Sequence, residues 1–310
     1  MIAVYQAFKS EAPTANRVLL LYVIVILLCA LSSRAEIPKE QLSEMTLALE
    51  KPVKIQLNNG STLTGHSIKV INGTLQIATS EGIGEIIYSI TPDQIKRFEI
   101  PGEYYKALAL EEMRSGNQAA AIEIMKRLYE QSINLIAYLP VSEANYFALY
   151  VDLLKSVDPS KAIAVANTLS PYVNNPKAIK MVEIAKMESY HVLGIYDKAS
   201  SLAQQWQATH TLYEDSALSE FILAEDLLRK ENYEAAIDLA LQPIVFSGPS
   251  AKDKLADCYA VAIASAIGLR DFKHANLLYR EMQERELLWP TQNDTLLPYF
   301  EKLNKQLEDS

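Results

Sequence analysis

The sequence predicts a mainly α protein, a helix-hairpin repeat solenoid over residues 103–310 preceded by a small N-terminal five-stranded β-barrel over residues 51–102. Three observations predict it. An alanine returns at Ala121, Ala162, Ala199, Ala236 and Ala275, at intervals of 41, 37, 37 and 39 residues, close to the period of two antiparallel helices and their loops. Upstream, residues 51–102 alternate apolar and polar side chains with the period of a half-buried strand. The 310 residues are 49% hydrophobic and 22% charged, an ordinary globular composition able to bury a substantial core.

Residues 1–35 read as an export signal. Val18 to Leu31 form a 14-residue apolar run behind Lys9 and Arg17, short of the roughly 20 residues that span a bilayer comfortably. Small residues at Ser33 and Ala35 fit cleavage before Glu36. The competing reading is an uncleaved N-terminal anchor, in which tilt and the flanks extend the run to spanning length. Both place the remainder outside the cytoplasm, in the periplasm or an equivalent extracytoplasmic space, and touch a membrane only through residues 18–31. Residues 36–50 read as a linker or short helix. Cleavage would leave Cys258 as the single cysteine, which excludes an intrachain disulfide, and its apolar surroundings suit a buried thiol.

In residues 51–102, Val53, Ile55 and Leu57 alternate with polar residues, followed by Ile68 and Val70, Leu75 and Ile77, then Ile86, Tyr88 and Ile90, and last Ile95, Phe98 and Ile100. Asn59-Gly60 and Asn72-Gly73 fall between runs, where a tight hairpin requires positive φ. So small a sheet buries one face by curling on itself, which predicts a barrel. The pattern VKIQLNNGSTLTGHSIKVINGTLQIAT followed by ITPDQIKRFEI resembles the Sm-like and SH3-like small barrels over about 50 residues. The resemblance implies an architecture; such barrels serve RNA, peptides and spacing alike. The RNA-contacting aromatic and basic residues of Sm proteins have no clear match here. Asn59, Asn72 and Asn293 also satisfy the acceptor pattern for N-linked glycans, while turn chemistry accounts for the first two.

Beyond Gly102 each recurring alanine stands near the start of a helix, after a turn such as Ser115-Gly116-Asn117, Asp158-Pro159-Ser160 or Arg270-Asp271. Tyr196, Tyr233 and Phe272 precede it by three residues in the last three units. A small side chain is required where two helix backbones approach most closely, so the five alanines are read as repeat-packing residues. Tyr105, Tyr146 and Tyr259 lie 16 residues upstream of such alanines, and Leu108, Leu149 and Leu223 lie 13 upstream. These positions resemble the tetratricopeptide repeat in degenerate form, through Tyr105, Leu108, Ala109, Gly116 and Ala121 in the first unit and Leu223, Ala224, Tyr233 and Ala236 in the fourth. The later small residue of that family is replaced by Leu128, Leu169, Trp206, Pro243 and Met282, and the intervals exceed the family's 34. Leu296 to Leu307 suits a helix capping the last apolar face.

No catalytic, metal or cofactor motif is present. His66, His191, His210 and His274 show no metal-ligand spacing, and Glu111-Glu112, Glu123, Glu225-Asp226 and Glu281 read as solvated helix faces. The net charge of −9, without a basic stripe, argues against nucleic acid. The expected function is a non-catalytic exported scaffold, not an enzyme and without a cofactor, that binds other envelope proteins through its array. Tyr104, Tyr146, Tyr150 and Tyr190 are the candidate partner face, since tyrosine gives large contact area at low entropic cost. The alternatives are a lipid or small-ligand carrier with an internal apolar cavity, and a structural protein oligomerised through the barrel.

Overall fold

The computed structural model describes residues 39–65, 67–81, 84–210, 216–246 and 253–308; the expected leader and its cleavage site lie outside them. Among the described residues there are twelve α-helices and six strands, and two compact units divide at Leu139/Pro140.

In the first unit, α1 (Lys39–Leu49) precedes β1 (Val53–Leu57), β2 (Thr62–Gly65), β3 (Ser67–Ile71), β4 (Thr74–Glu81), β5 (Gly84–Ile90) and β6 (Ile95–Glu99). These form two antiparallel three-stranded sheets, β2-β1-β6 and β3-β4-β5. Two expectations are corrected here. There are six strands rather than five, because the run from Thr62 to Ile71 is shared: its first part pairs with β1 and its second with β4. The sheets also do not close into a barrel, and each keeps two edge strands. The Asn72-Gly73 turn does join β3 to β4, with φ of 51° and 72°, the left-handed pair that matches strand twist. The sheets meet at Gly65, where a β-carbon would stand 2.3 Å from Ile77 Cγ1 and 2.5 Å from the Ala78 carbonyl. Ile55, Leu75 and Ile77 are fully buried beside Ile90 and Phe98.

The first hairpin, α2 (Glu103–Arg114) and α3 (Gln118–Ser132), groups with the strands, followed by a 3-10 turn over Ile133–Tyr138. α1 is tied to α3 through Arg127 Nη1, which donates to Thr46 Oγ1 at 2.7 Å, and Gln131 Nε2, which donates to the Leu49 carbonyl at 2.9 Å.

The second unit holds four further hairpins: α4 (Val141–Leu154) with α5 (Pro159–Leu169), α6 (Pro176–Val192) with α7 (Tyr196–Thr209), α8 (Leu218–Arg229) with α9 (Tyr233–Phe246), and α10 (Leu255–Gly268) with α11 (Phe272–Glu284). A last helix, α12 (Leu297–Glu308), packs on α10. The first helices form a row in which α4 touches α6, α6 touches α8 and α8 touches α10. From Cys258 to Ile267 every residue of α10 is buried, as in a helix enclosed on all sides.

One turn recurs. After α2, α6, α8 and α10 a single left-handed residue, Gly116, Gly194, Glu231 or Arg270, reverses the chain. The next residue donates its N–H to a carbonyl five positions back (Asn117 to Glu112, Ile195 to Tyr190, Asn232 to Leu227, Asp271 to Ala266), which ends the first helix. That same residue starts the second helix: Asn117 and Asp271 accept side-chain caps from Ala120 N and His274 N. The α4–α5 turn differs, with Asp158 capping Lys161 N and no left-handed residue.

Candidate functional site

The five alanines occupy one structural position. Each is the fourth residue of the second helix of a hairpin, each is fully buried, and each donates its N–H to the carbonyl of the turn residue four back. The residue beginning that helix has its own role in the second unit. The Arg229 guanidinium, at the end of α8, lies 3.4 Å from the Tyr196 ring centroid, and Gly268, at the end of α10, faces the Tyr233 ring. The turn of one hairpin is thus an aromatic seat for the next.

The candidate tyrosines separate. Tyr104 on α2 is 72% exposed, and Tyr146 on α4 is half-buried with its ring edge-on to Phe147. Tyr190 on α6 is half-buried against the core, with Lys198 Nζ 5.3 Å from its ring centroid. Tyr150 is corrected: at 0% exposure it is enclosed in the core of α4 and presents nothing to a partner. Periodicity placed it on a helix without telling which side other helices would cover.

A polar row that the sequence reading missed crosses the first helices of the second unit. Lys155, following α4, pairs with Asp152 at 2.8 Å and with Glu188 of α6 at 3.2 Å, and Glu188 also binds Lys254 at 2.7 Å. One turn further along α6, His191 hydrogen-bonds Glu225 of α8 through Nε2. Glu225 is 1% exposed, so its reading as a solvated residue is corrected: α6, α8 and the segment after α11 close over it. Its Oε2 accepts from His191 and from Arg229 Nη1 at 2.9 Å, and its Oε1 accepts from Asn293 Nδ2 at 2.6 Å.

The electrostatics follow from these partners. Burial pushes Glu225 up, but hydrogen bonds and charge from His191, with Asn293 and Arg229, outweigh it and hold the carboxyl below its ordinary value. Glu188 likewise resists burial through Lys254 and Lys155. Asp257 on α10 goes the other way: burial raises it, Lys254 opposes, and the Glu225 charge adds to the rise. Both oxygens of Glu225 are therefore engaged, and the row links α4, α6, α8 and the segment after α11. One signal lay in the sequence, since Glu188 and Glu225 are 37 residues apart, the interval between Ala199 and Ala236. Asn293, 68 residues from Glu225, gave none.

Cys258 is fully buried and its thiol is pushed well above its ordinary value by burial. Among the described residues no group of three or more His, Cys, Asp or Glu side chains is placed to hold a metal ion, and no helix is long and apolar enough to cross a membrane. A pocket of about 240 Å³ opens between α6 and α7, lined by Glu183, Met187, Leu202, Gln205, Trp206 and Thr209; the His210 ring stacks on Trp206 at 3.7 Å. Comparison with protein-family models finds no match to this chain, and neither does comparison with curated proteins.

Proposed function

We propose that the chain is a non-catalytic exported scaffold whose helices form a degenerate tetratricopeptide-like array that binds another protein of the cell envelope. The observation that carries this reading is the α6–α7 pocket, sized for an anchoring side chain and walled by Trp206, Met187 and Leu202, on an array in which Glu188 and Glu225 are engaged by Lys155 and Arg229. Interfaces concentrate their energy where an apolar or aromatic side chain fills such a pocket beside a polar rim, here Glu183, Gln205 and Thr209. Export rests on the apolar run Val18–Leu31 and the small residues before Glu36.

The test is a pull-down from envelope extract with the wild-type chain and with Leu202→Glu, which charges the half-buried pocket wall. The expected result is a reproducible protein partner retained by the first and lost by the second, with unchanged circular dichroism. Equal recovery by both, or no reproducible partner, would overturn the reading. Export is checked by the mass of the secreted chain, which should begin at Glu36.

A further inference from the structure

Among the described residues β3 is hydrogen-bonded on one side only, because its sheet runs β3-β4-β5. The cause lies upstream. β1 pairs with β2 as far as Val53 opposite Gly65, and a backward continuation of β1 would cover β3. Residue 52 is proline, which has no N–H to give a ladder, and the chain before it is committed to α1. A groove of about 570 Å³ borders β3, lined by the four consecutive residues Ile68 to Ile71, by Leu49, Glu50, Lys51 and Val53, and by Gln131, Asn134 and Leu135; Lys51 and Lys69 against the one carboxylate of Glu50 leave it net positive. Side chains alternate across a strand, so a groove lined by four in succession follows the edge of β3 and not one face.

The groove has the chemistry of an empty strand position. An unpaired strand edge presents a row of backbone donors and acceptors that a second extended chain satisfies. Gln131 Nε2 is used by Leu49, while its buried Oε1 has no donor among the described residues. The register places Ile68 and Val70 on the same face as the buried Leu75 and Ile77, and Val70 remains 39% exposed. Lys69 is on the opposite face, and Lys51 and Lys69 are both exposed and make no ion pair among the described residues of this acidic chain.

We infer that the free edge of β3 takes up an extended segment of another protein as an added strand, antiparallel to β3 and in line with β1. Its residues alternate, aliphatic ones toward Val70 and acidic ones toward Lys69 and Lys51. This site is in the first unit and is independent of the α6–α7 pocket.

The experiment titrates the full chain with a fluorescein-labelled heptapeptide of alternating valine and glutamate and reads anisotropy. Three further peptides serve as probes, one with lysine in place of glutamate and a pair N-methylated in either alternate register. Saturable binding of the valine–glutamate peptide is expected, lost when the hydrogen-bonding register is N-methylated. Lys69→Glu should weaken it about two- to fivefold and strengthen the lysine peptide by a similar factor. Absence of saturable binding, equal binding of both N-methylated forms, or indifference to Lys69→Glu would overturn the inference. So would a dimer in light scattering that Val70→Arg dissolves, which would assign the edge to a second copy of this chain.

Discussion

Gly268, the last residue of α10, lies flat against the ring of Tyr233, the first residue of α9: a β-carbon on Gly268 would stand 2.4 Å from Tyr233 Cε1 and 2.5 Å from Cδ1. The gap closes where the chain turns between the two helices of one hairpin and the aromatic seat of the preceding hairpin receives it.

Gly268→Ala should therefore destabilise the protein by about 1–3 kcal/mol, the range for forcing an added carbon into a packed site. In a Tyr233→Leu background the same substitution should cost much less, because the atoms it meets are gone. Urea denaturation of the four chains completes the cycle; equal costs in both backgrounds would mean that the ring is not what excludes the methyl group.

Ala199→Leu should cost about 1–3 kcal/mol, since Ala199 is fully buried in the first turn of α7. Ala208, near the other end of that helix, is exposed, and Ala208→Leu should change stability by no more than about 0.5 kcal/mol. Thermal denaturation of both variants gives the comparison, and similar values for the two would show that the α7 alanines do not mark helix crossings.

The two carboxylates near Lys254 should respond to pH with opposite sign. Glu188 is held below its ordinary value, so its contribution is complete above pH 4.5 and is lost as the pH falls through the lowered value. Asp257 is raised, so the folded state holds its proton more tightly and stability falls as the pH climbs from 3.8 through the raised value. At pH 7 Glu188→Gln should lower the melting temperature and Asp257→Asn should raise it. Both differences should shrink toward acid, that of Asp257 as the pH falls from its raised value to 3.8 and that of Glu188 as it falls from 4.5 through the lowered value, which a series of melts across pH would show.

Asn293→Ala removes the donor to Glu225 Oε1 and leaves a buried carboxylate oxygen without it, at a cost of about 1–3 kcal/mol. Asn293→Asp should cost more, because it sets a second carboxylate against the first. Urea titrations at neutral pH measure both, and a smaller loss for the aspartate would contradict the hydrogen bond as described.

The separation between legible and hidden features follows the reach of each signal. Asn72-Gly73 announced its hairpin because positive φ is a property of the residues themselves, and the turn through Gly116 was legible for the same reason. Glu231 and Arg270 take the same left-handed position without glycine. The split of Thr62–Ile71 between two sheets was hidden, because alternation is the same whichever sheet a strand joins. Tyr150 and Glu225 were misplaced because a helix's periodicity gives a face but not its neighbour.

By itself the sequence determined the order of strands then helices, the hairpin turns and the alanine at the fourth position of each second helix, all set by local conformational preference and by side-chain size. Tertiary structure decided what those preferences cannot reach: that the small sheets stay open, that Glu225 is closed over by Asn293, and that Gly268 rests on Tyr233. Those outcomes depend on which distant surfaces meet, and the free energy of burial that selects them belongs to no single segment.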